Sequence, residues 1–257
     1  MLLIFFACAN IEPAPSDIDG LSHYFWTHYD NEEDTIIADG ILNAFTAIDA
    51  SNLEEPLRGT VSNLSLEELS LVGKEHEDPE AMSGIYFANV VHCPMDAIER
   101  GVYATNQDER HEGDYAEYNR EYTSDLQAYE SRESNRLSWT TNYTVETIGQ
   151  RLSVEINGGI RYVAEIDEAR TPYGPIILSR GVLGEDAYFN DSNDRGMFQD
   201  YQLEVYFPIS STEAIHYFTI WREITYTSTI DFSSQSMQDL VLDGMIDWDL
   251  DTEAECQ

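Results

Sequence analysis

The sequence has little positive charge and almost no lysine. Among its 257 residues, 13 are Lys or Arg and 49 are Asp or Glu, which gives a formal net charge of −36. Lys74 is the single lysine. A surface this negative repels phosphate backbones, so we exclude nucleic acid as a partner. A salt-adapted, secreted surface is the favoured explanation of the charge, because salt screens the self-repulsion; a docking site for a cationic partner is the alternative.

Long apolar runs are also absent. No stretch approaches the ~20 apolar residues that a helix needs to cross a bilayer. Hydrophobic residues still make up 42% of the chain and aromatic residues 12%. That content is typical of a chain with a packed core. The length predicts one large domain, or one domain with a small helical piece.

Motifs for catalysis and for cofactors are missing as well. The chain has no Gly-x-Ser-x-Gly, P-loop, dinucleotide-binding or zinc motif. Asp247, Asp249 and Asp251 have the alternate spacing that opens a calcium loop, but Thr252 stands where that loop needs glycine. Such carboxylates are more typical of a solvated, charged helix. We therefore predict no cofactor and no metal.

An enzyme is the least favoured class of function. His216 lies in an apolar strand, and a buried histidine there is usually part of a satisfied core. Only a buried polar cleft that joins His216 to a carboxylate, such as Glu204 or Glu223, would favour catalysis.

The first of three cysteines follows an apolar run. The segment MLLIFFAC resembles the end of a bacterial lipoprotein signal, in which a small residue precedes the cysteine that receives lipid. This resemblance implies a signal remnant and tether over residues 1–16, lipid on Cys8 and a membrane partner reached through that anchor. It also implies a place in the cell envelope, on the periplasmic or surface face of the outer membrane. An ordinary apolar terminus is the alternative.

If Cys8 carries lipid, Cys93 and Cys256 remain as a pair. In an oxidising compartment they are expected to form a disulfide that fastens the end of the chain to the first strand of the main sheet. Two unrelated thiols, one in the core and one on a frayed end, are the alternative.

The segment Asp200–Tyr226 is the most apolar and aromatic part of the chain, and it predicts a central β-hairpin. In its first strand, Tyr201, Leu203, Val205 and Phe207 alternate with more polar residues. Residues 210–213 form the predicted loop. The return strand is apolar on both faces, so it needs cover on both sides of the sheet.

The remaining patterns divide the chain in two. Residues 17–82 predict a small helical region packed on the main domain, with a loop or short extended piece at 57–62. Residues 83–257 predict an antiparallel sheet and a C-terminal helix, with a hairpin turn at Asn157–Gly159. The helix carries an apolar stripe at helical spacing: Met237, Leu240, Val241, Met245 and Trp248.

This order of elements resembles the START-like, or helix-grip, superfamily. Gly84–His92 matches the first strand and Ser234–Asp249 the helix that the sheet grips. The resemblance implies an α+β fold in which a curved antiparallel sheet wraps a C-terminal amphipathic helix; a lipocalin-like barrel is the alternative. The whole sequence also resembles acidic lipoproteins of Gram-negative bacteria, a likeness that implies no particular activity.

Aromatic residues supply the candidate site. The resemblance implies a cavity for an apolar small molecule between sheet and helix, whereas a filled core implies a structural or protein-interaction role with no ligand. No protein partner can be named. The candidate ligand-binding residues are Trp139, Tyr143, Tyr206, Tyr217, Phe218 and Trp221.

Overall fold

The computed structural model describes residues 13–147, 149–164, 174–190, 192, 194–227 and 230–256. The predicted lipidation of Cys8 lies outside these residues. The described helices are α1 (Ile18–His28), α2 (Asp34–Ala47), α3 (Leu66–Ser70), α4 (Met95–Tyr103), α5 (Gln107–Arg110), α6 (Leu126–Glu130) and α7 (Gln235–Glu255).

The strands of the described residues form one antiparallel sheet. They are β1 (Leu57–Val61), β2 (Ser83–Val91), β3 (Glu117–Tyr122), β4 (Arg136–Thr147), β5 (Gln150–Val163), β6 (Ile176–Leu183), β7 (Ala187–Tyr188), β8 (Gly196–Pro208), β9 (Ala214–Thr227) and β10 (Ile230–Asp231). The spatial order is β1-β2-β9-β8-β6-β5-β4-β3, with the short β7 on β8 and β10 on β9. The sheet is curved and open, so the α+β prediction is confirmed and the lipocalin-like barrel is wrong.

The central hairpin is confirmed. Strands β8 and β9 pair along their length, with Val205 opposite Tyr217 and Pro208 opposite Ala214. They lie in the middle of the strand order, between β2 and β6. The two apolar faces of β9 are covered by helices, one by α1 and α2 and the other by α7.

The predicted turn at Asn157–Gly159 is wrong. Strand β5 runs straight through these residues, and Gly158 pairs with Gly181 of β6. Glycine is needed at 158 because the Trp139 ring lies on it: an added Cβ would lie 2.4 Å from the indole Nε1. Glycine is common in a turn, but it also occurs within a strand where a neighbouring group approaches the backbone closely.

Strand β1 belongs to the sheet, although its sequence suggested only a loop or a short extended piece. It pairs antiparallel with β2, placing Gly59 opposite Tyr86. An added Cβ at Gly59 would lie 2.6 Å from the Tyr86 ring, so the glycine lets this aromatic side chain cross the edge strand.

The face of the sheet that we call the N-terminal face is covered by α1, α2 and α3. Tyr217 and Trp221 of β9 lie on it, in one buried cluster with Phe25 and Trp26 of α1. The Trp221 indole donates a hydrogen bond to the carbonyl of Ser62 at 2.8 Å. Burial of these large rings supplies much of the contact between helices and sheet.

We call the opposite side of the sheet the α7 face. Side chains alternate along each strand, so the residues that adjoin those of the N-terminal face point to this side. Phe218 and Ile220 of β9 pack there with Met237 and Leu242 of α7. A third cluster, near the other end of α7, joins α4 and α6 to the sheet. The helix thus lies over the curved sheet, as the helix-grip resemblance implies. The predicted stripe is only partly correct, because Leu240 is 56% exposed and Leu242 is buried in its place.

A disulfide joins Cys93 to Cys256, the two cysteines that the sequence pairs, with 5.6 Å between their Cα atoms. Cys93 follows β2 and Cys256 caps α7. The bridge ties the last turn of the helix to the sheet.

Candidate functional site

A buried histidine and a buried aspartate meet between the sheet and α7. His216 is the second residue after the start of β9, and the pleat turns its side chain to the α7 face. Its Nδ1 lies 2.7 Å from Asp249 Oδ1, and both side chains are almost fully buried. Asn89, opposite His216 on β2, donates to the other carboxylate oxygen at 3.0 Å.

A second carboxylate lies on the other side of the imidazole. Glu204 Oε2 is 3.7 Å from His216 Nε2 and accepts a hydrogen bond from the Tyr206 hydroxyl at 2.9 Å. The Tyr206 ring stacks on the imidazole, with 4.3 Å between the ring centroids. Glu204 keeps 21% of its side chain exposed although it lies near the middle of the sheet. Water therefore reaches the α7 face at this carboxylate.

The charge around His216 sets its protonation. Burial lowers the pKa of His216, but the carboxylates of Asp249 and Glu204 outweigh that effect, so the pKa is raised above its ordinary value. Burial and the nearby carboxylates raise the pKa of Tyr206 far above its usual range, which keeps its hydroxyl a donor. His216 can thus be protonated between the two carboxylates and donate a hydrogen bond from Nε2.

Several buried polar atoms near α7 have no hydrogen-bond partner among the described residues. They belong to β9 and to α5, the short helix that lies against the C-terminal half of α7. His111 stacks on Trp248 at 3.4 Å, and Arg110 pairs with Glu255. The atoms are His216 Nε2, His111 Nε2, Arg110 Nε and Gln107 Oε1. Buried polar atoms nearly always have a partner, so water or another polar group is expected to satisfy these atoms.

Arg120 brings a cation to the same interior. From β3 it donates to the Val102 carbonyl at 2.6 Å and to Thr141 Oγ1 at 3.1 Å. Its guanidinium lies 4.5 Å from the centre of the Trp139 ring, a cation–π contact. Burial lowers its pKa, and the field of Glu204 acts against that effect. We call His216, Asp249, Glu204, Tyr206 and Arg120 the polar interior.

The six aromatic candidates are divided between the two faces of the sheet. Trp139, Tyr143, Tyr206 and Phe218 belong to the α7 face, where Trp139 and Tyr206 lie beside the polar interior. The structure does not bring Tyr217 and Trp221 to that side. The Tyr217 hydroxyl contacts Ser22 of α1 and donates to the Ile18 carbonyl at 3.2 Å, so it serves the contact between α1 and the sheet.

Sequence reasoning missed Asp249, which the pattern of alternating carboxylates assigned to a solvated face. A signal was present: Asp249 follows Leu242 by seven residues and Met245 by four, which places these three residues on one side of the helix. An acid on that side of the helix needs a buried partner. The position of His216 near Glu204 is also the arrangement for which the sequence leaves catalysis open.

Two cavities of the described residues lie away from α7. One of about 390 Å³ is lined by β4, β5 and β6 beside the end of α1. Another, of about 450 Å³, lies on the polar outer surface of β3, β4 and β5. No residue of α7 lines either one. Among the described residues, no group of three or more His, Cys, Asp or Glu side chains is placed to hold a metal ion.

The molecule is an α+β protein with a helix-grip arrangement. No protein-family model matches the sequence, and no curated protein matches it. Similar solved structures include a START superfamily protein from Mycobacterium smegmatis, with 9% identity and a TM-score of 0.43, covering 67% of this chain and 96% of that one. The lipid transfer and protein localization domain of human StarD13 has 8% identity and a TM-score of 0.42, over 69% and 78% of the two chains. Human STARD10 has 8% identity and a TM-score of 0.43, over 75% and 81%.

At these identities and TM-scores the likeness carries no information about function. Within the described residues, no helix combines the length and the apolar character that crossing a bilayer requires.

Proposed function

We propose that the protein binds a small molecule with an apolar body and a hydrogen-bonding group between its sheet and α7, while a lipid on Cys8 anchors it in the cell envelope. The observation that supports binding is the half-buried Glu204, which faces α7 beside an unpartnered His216 Nε2. Trp139, Phe218 and the Tyr206 ring would contact the apolar body. Glu204, Tyr206 and His216 would meet its polar group.

The chemistry of the polar interior favours a ligand that accepts and donates hydrogen bonds. A protonated imidazole donates, and a carboxylate accepts. A hydroxyl or an amide on the ligand can satisfy both groups, whereas a purely apolar ligand would displace water from Glu204 and leave its carboxylate with Tyr206 as its hydrogen-bond donor. A sterol-like or fatty alcohol-like molecule has this combination of an apolar body with a single polar group.

Organic extraction of the purified protein, followed by mass spectrometry, tests the binding proposal. We expect a co-purified compound near one equivalent. The variant Gln202→Phe, which fills the space beside Glu204 on the same face, should lose most of it. Asn119→Phe, on the exposed outer side of β3, adds the same ring elsewhere and should retain it. Wild-type protein that yields no compound after expression in its native envelope would contradict the proposal.

A filled core that acts only through its surface is the second candidate. The positions of the two cavities, away from α7, favour it. In that case the extracts contain no bound compound, and Gln202→Phe destabilises the fold by overpacking, by about 1–3 kcal/mol. The two candidates therefore give opposite extraction results.

The anchor is tested separately from the ligand. Mass spectrometry of the N-terminal peptide should show a lipid on Cys8, and the membrane fraction should contain the protein. The Cys8→Ser variant should move to the soluble envelope fraction with its ligand content unchanged. An unmodified Cys8 in membrane-free wild-type protein would refute the anchor and leave the binding proposal standing.

A further inference from the structure

The cavity beside α1 has a charge opposite to that of the whole molecule. Three of the 13 basic residues line its walls, namely Lys74, Arg136 and Arg180. Asp30 is the only carboxylate among the lining residues that the structure describes, in a chain that has 49 acidic residues. The cavity is therefore a local positive site on a strongly negative protein, and it attracts anions at short range.

These cations are held in place before any ligand arrives. Asp30 accepts hydrogen bonds from Arg136 at 2.8 Å and from Arg180 at 2.6 Å. The Arg180 guanidinium lies 4.1 Å from the centre of the Tyr29 ring. Lys74 Nζ donates to the Gly184 carbonyl at 3.1 Å. Side chains that are already ordered lose little entropy on binding, which favours affinity.

Two carboxylates pair with the three cations: Asp30 with both arginines, and Glu77, whose Oε1 lies 3.8 Å from Lys74 Nζ. Each guanidinium has five N–H groups and the ammonium has three. All three cations keep part of their side chains exposed, between 14% for Arg180 and 25% for Arg136. Arg136 also donates to the carbonyls of Tyr29 and Asn31, at 3.3 and 3.4 Å. The three cations together have more N–H groups than these partners accept, so donors remain for an anion that enters the cavity.

The opposite wall is polar and uncharged. Ser138, Thr140 and Asn157 line it, and Thr140 Oγ1 donates to Asn157 Oδ1 at 3.0 Å. Gly159 keeps the floor open, since an added Cβ would lie 3.2 Å from the Tyr29 hydroxyl. Hydroxyl and amide groups of this kind bind the hydroxyls of a ligand.

We propose that this cavity is a second binding site, independent of the polar interior, for a small hydroxylated organic acid. The carboxylate of the ligand lies between Lys74 and the two arginines, and its hydroxyls meet Ser138, Thr140 and Asn157. The volume of about 390 Å³ admits a molecule the size of a sugar acid. At about 0.15 M salt the Debye length is about 8 Å, so the charges of the cavity outweigh the distant negative surface.

Isothermal titration of the full chain with D-glucuronate, at about 0.15 M salt, tests the site. We expect saturable binding with one site per chain and none with neutral D-glucose. Lys74→Gln should weaken glucuronate binding about tenfold, which corresponds to a loss of roughly 1.4 kcal/mol of binding free energy. Arg100→Gln removes the same charge from the exposed surface of α4, where Arg100 pairs with Asp96 at 2.9 Å, and should leave the affinity unchanged.

Thr140→Val is a second test, because it removes a hydroxyl and keeps every charge. It should also weaken glucuronate binding. Thermal melts establish that each variant is folded. Glu204→Gln, in the polar interior, should bind glucuronate as the wild type does. The proposal is overturned if glucuronate shows no saturable binding, or if Arg100→Gln weakens it as much as Lys74→Gln. Inorganic phosphate that binds as tightly as glucuronate, with no effect of Thr140→Val, would overturn the assignment of a hydroxylated acid.

Discussion

His216 and His111 are both buried against α7, but the charges around them differ. Two carboxylates flank His216, at 2.7 and 3.7 Å. His111 has one, Asp251, at 3.1 Å, and the positive Arg110 beside it. Burial lowers the pKa of His111 below its ordinary value because one half-exposed carboxylate does not outweigh desolvation.

The two histidines should therefore titrate in opposite directions. In NMR spectra recorded across pH 5–9, we expect the His216 ring to titrate above the ordinary value of 6.5 and the His111 ring below it. Asp249→Asn should lower the pKa of His216 and leave that of His111 in place. A His216 ring that is already neutral at pH 6 would contradict the assignment.

The raised pKa of His216 also has a consequence for stability. Folding takes up a proton at this site, so the stabilisation is complete below the pKa of the unfolded chain and disappears as the pH rises through the folded pKa. We expect Asp249→Asn to lower the free energy of unfolding by about 2–3 kcal/mol at pH 6, and by less as the pH is raised. Urea titrations at each pH measure the difference.

Arg161 has a structural role that its sequence position does not reveal. Its buried guanidinium donates to the carbonyls of His28 and Tyr29, at the end of α1, and to Asp34 Oδ1 at 2.6 Å. These carbonyls lack helical partners, and a cation there also complements the helix dipole.

Replacing Arg161 should loosen α1 and α2 from the sheet. We expect Arg161→Met to reduce the free energy of unfolding by about 2–3 kcal/mol, the range for hydrogen bonds to charged groups. Arg151→Met, which breaks an exposed pair with Glu117, should change it by less than about 1 kcal/mol. Chemical denaturation compares the two variants; equal effects would contradict the role assigned to Arg161.

At the scale of whole elements, α7 is held by several kinds of contact. Met237 and Leu242 pack on the sheet, Asp249 binds His216, and the disulfide fastens its end to the segment after β2. A salt bridge of 3.0 Å also joins Asp243 to Arg58 of β1, but both side chains are exposed, so it contributes little.

The disulfide should stabilise the C-terminal half of α7. It spans 163 residues of sequence, and closing so long a loop is worth at most about 5 kcal/mol in the chain-entropy model. A variant with both cysteines changed to serine should melt at a lower temperature and exchange the amides of residues 246–255 faster. Calorimetry and hydrogen exchange measure this; unchanged exchange in α7 would contradict it.

The strand order explains why one prediction about elements was wrong. Asn157–Gly159 has the composition of a hairpin turn, but Gly149, with a φ of 71°, lies in the link between β4 and β5. The glycine at 158 serves the Trp139 ring from the neighbouring strand. A single sequence does not distinguish a glycine in a turn from a glycine that makes room for a ring. The ring that requires Gly158 belongs to another strand.

At the scale of the whole molecule, the main feature is the formal net charge of −36. Negative groups on a compact surface repel one another, and the unfolded chain spreads them further apart. We expect the melting temperature to rise as sodium chloride is increased from about 0.02 to about 0.5 M, since salt screens this repulsion. Sucrose at matched osmolality controls for solvent effects, and a melting temperature that falls with salt would contradict the expectation.

The sequence by itself determined the charge, the central hairpin β8–β9 and the existence of the helix α7, because each follows from local composition or from periodicity along one segment. Only the tertiary structure decided which residues meet: His216 with Asp249, 33 residues apart, and Arg180 with Asp30, 150 residues apart. Alternation places His216 on one face of a strand, but the partner on that face depends on the order of the strands and on where α7 crosses them. No local pattern encodes that crossing, since it results from how all the elements pack together.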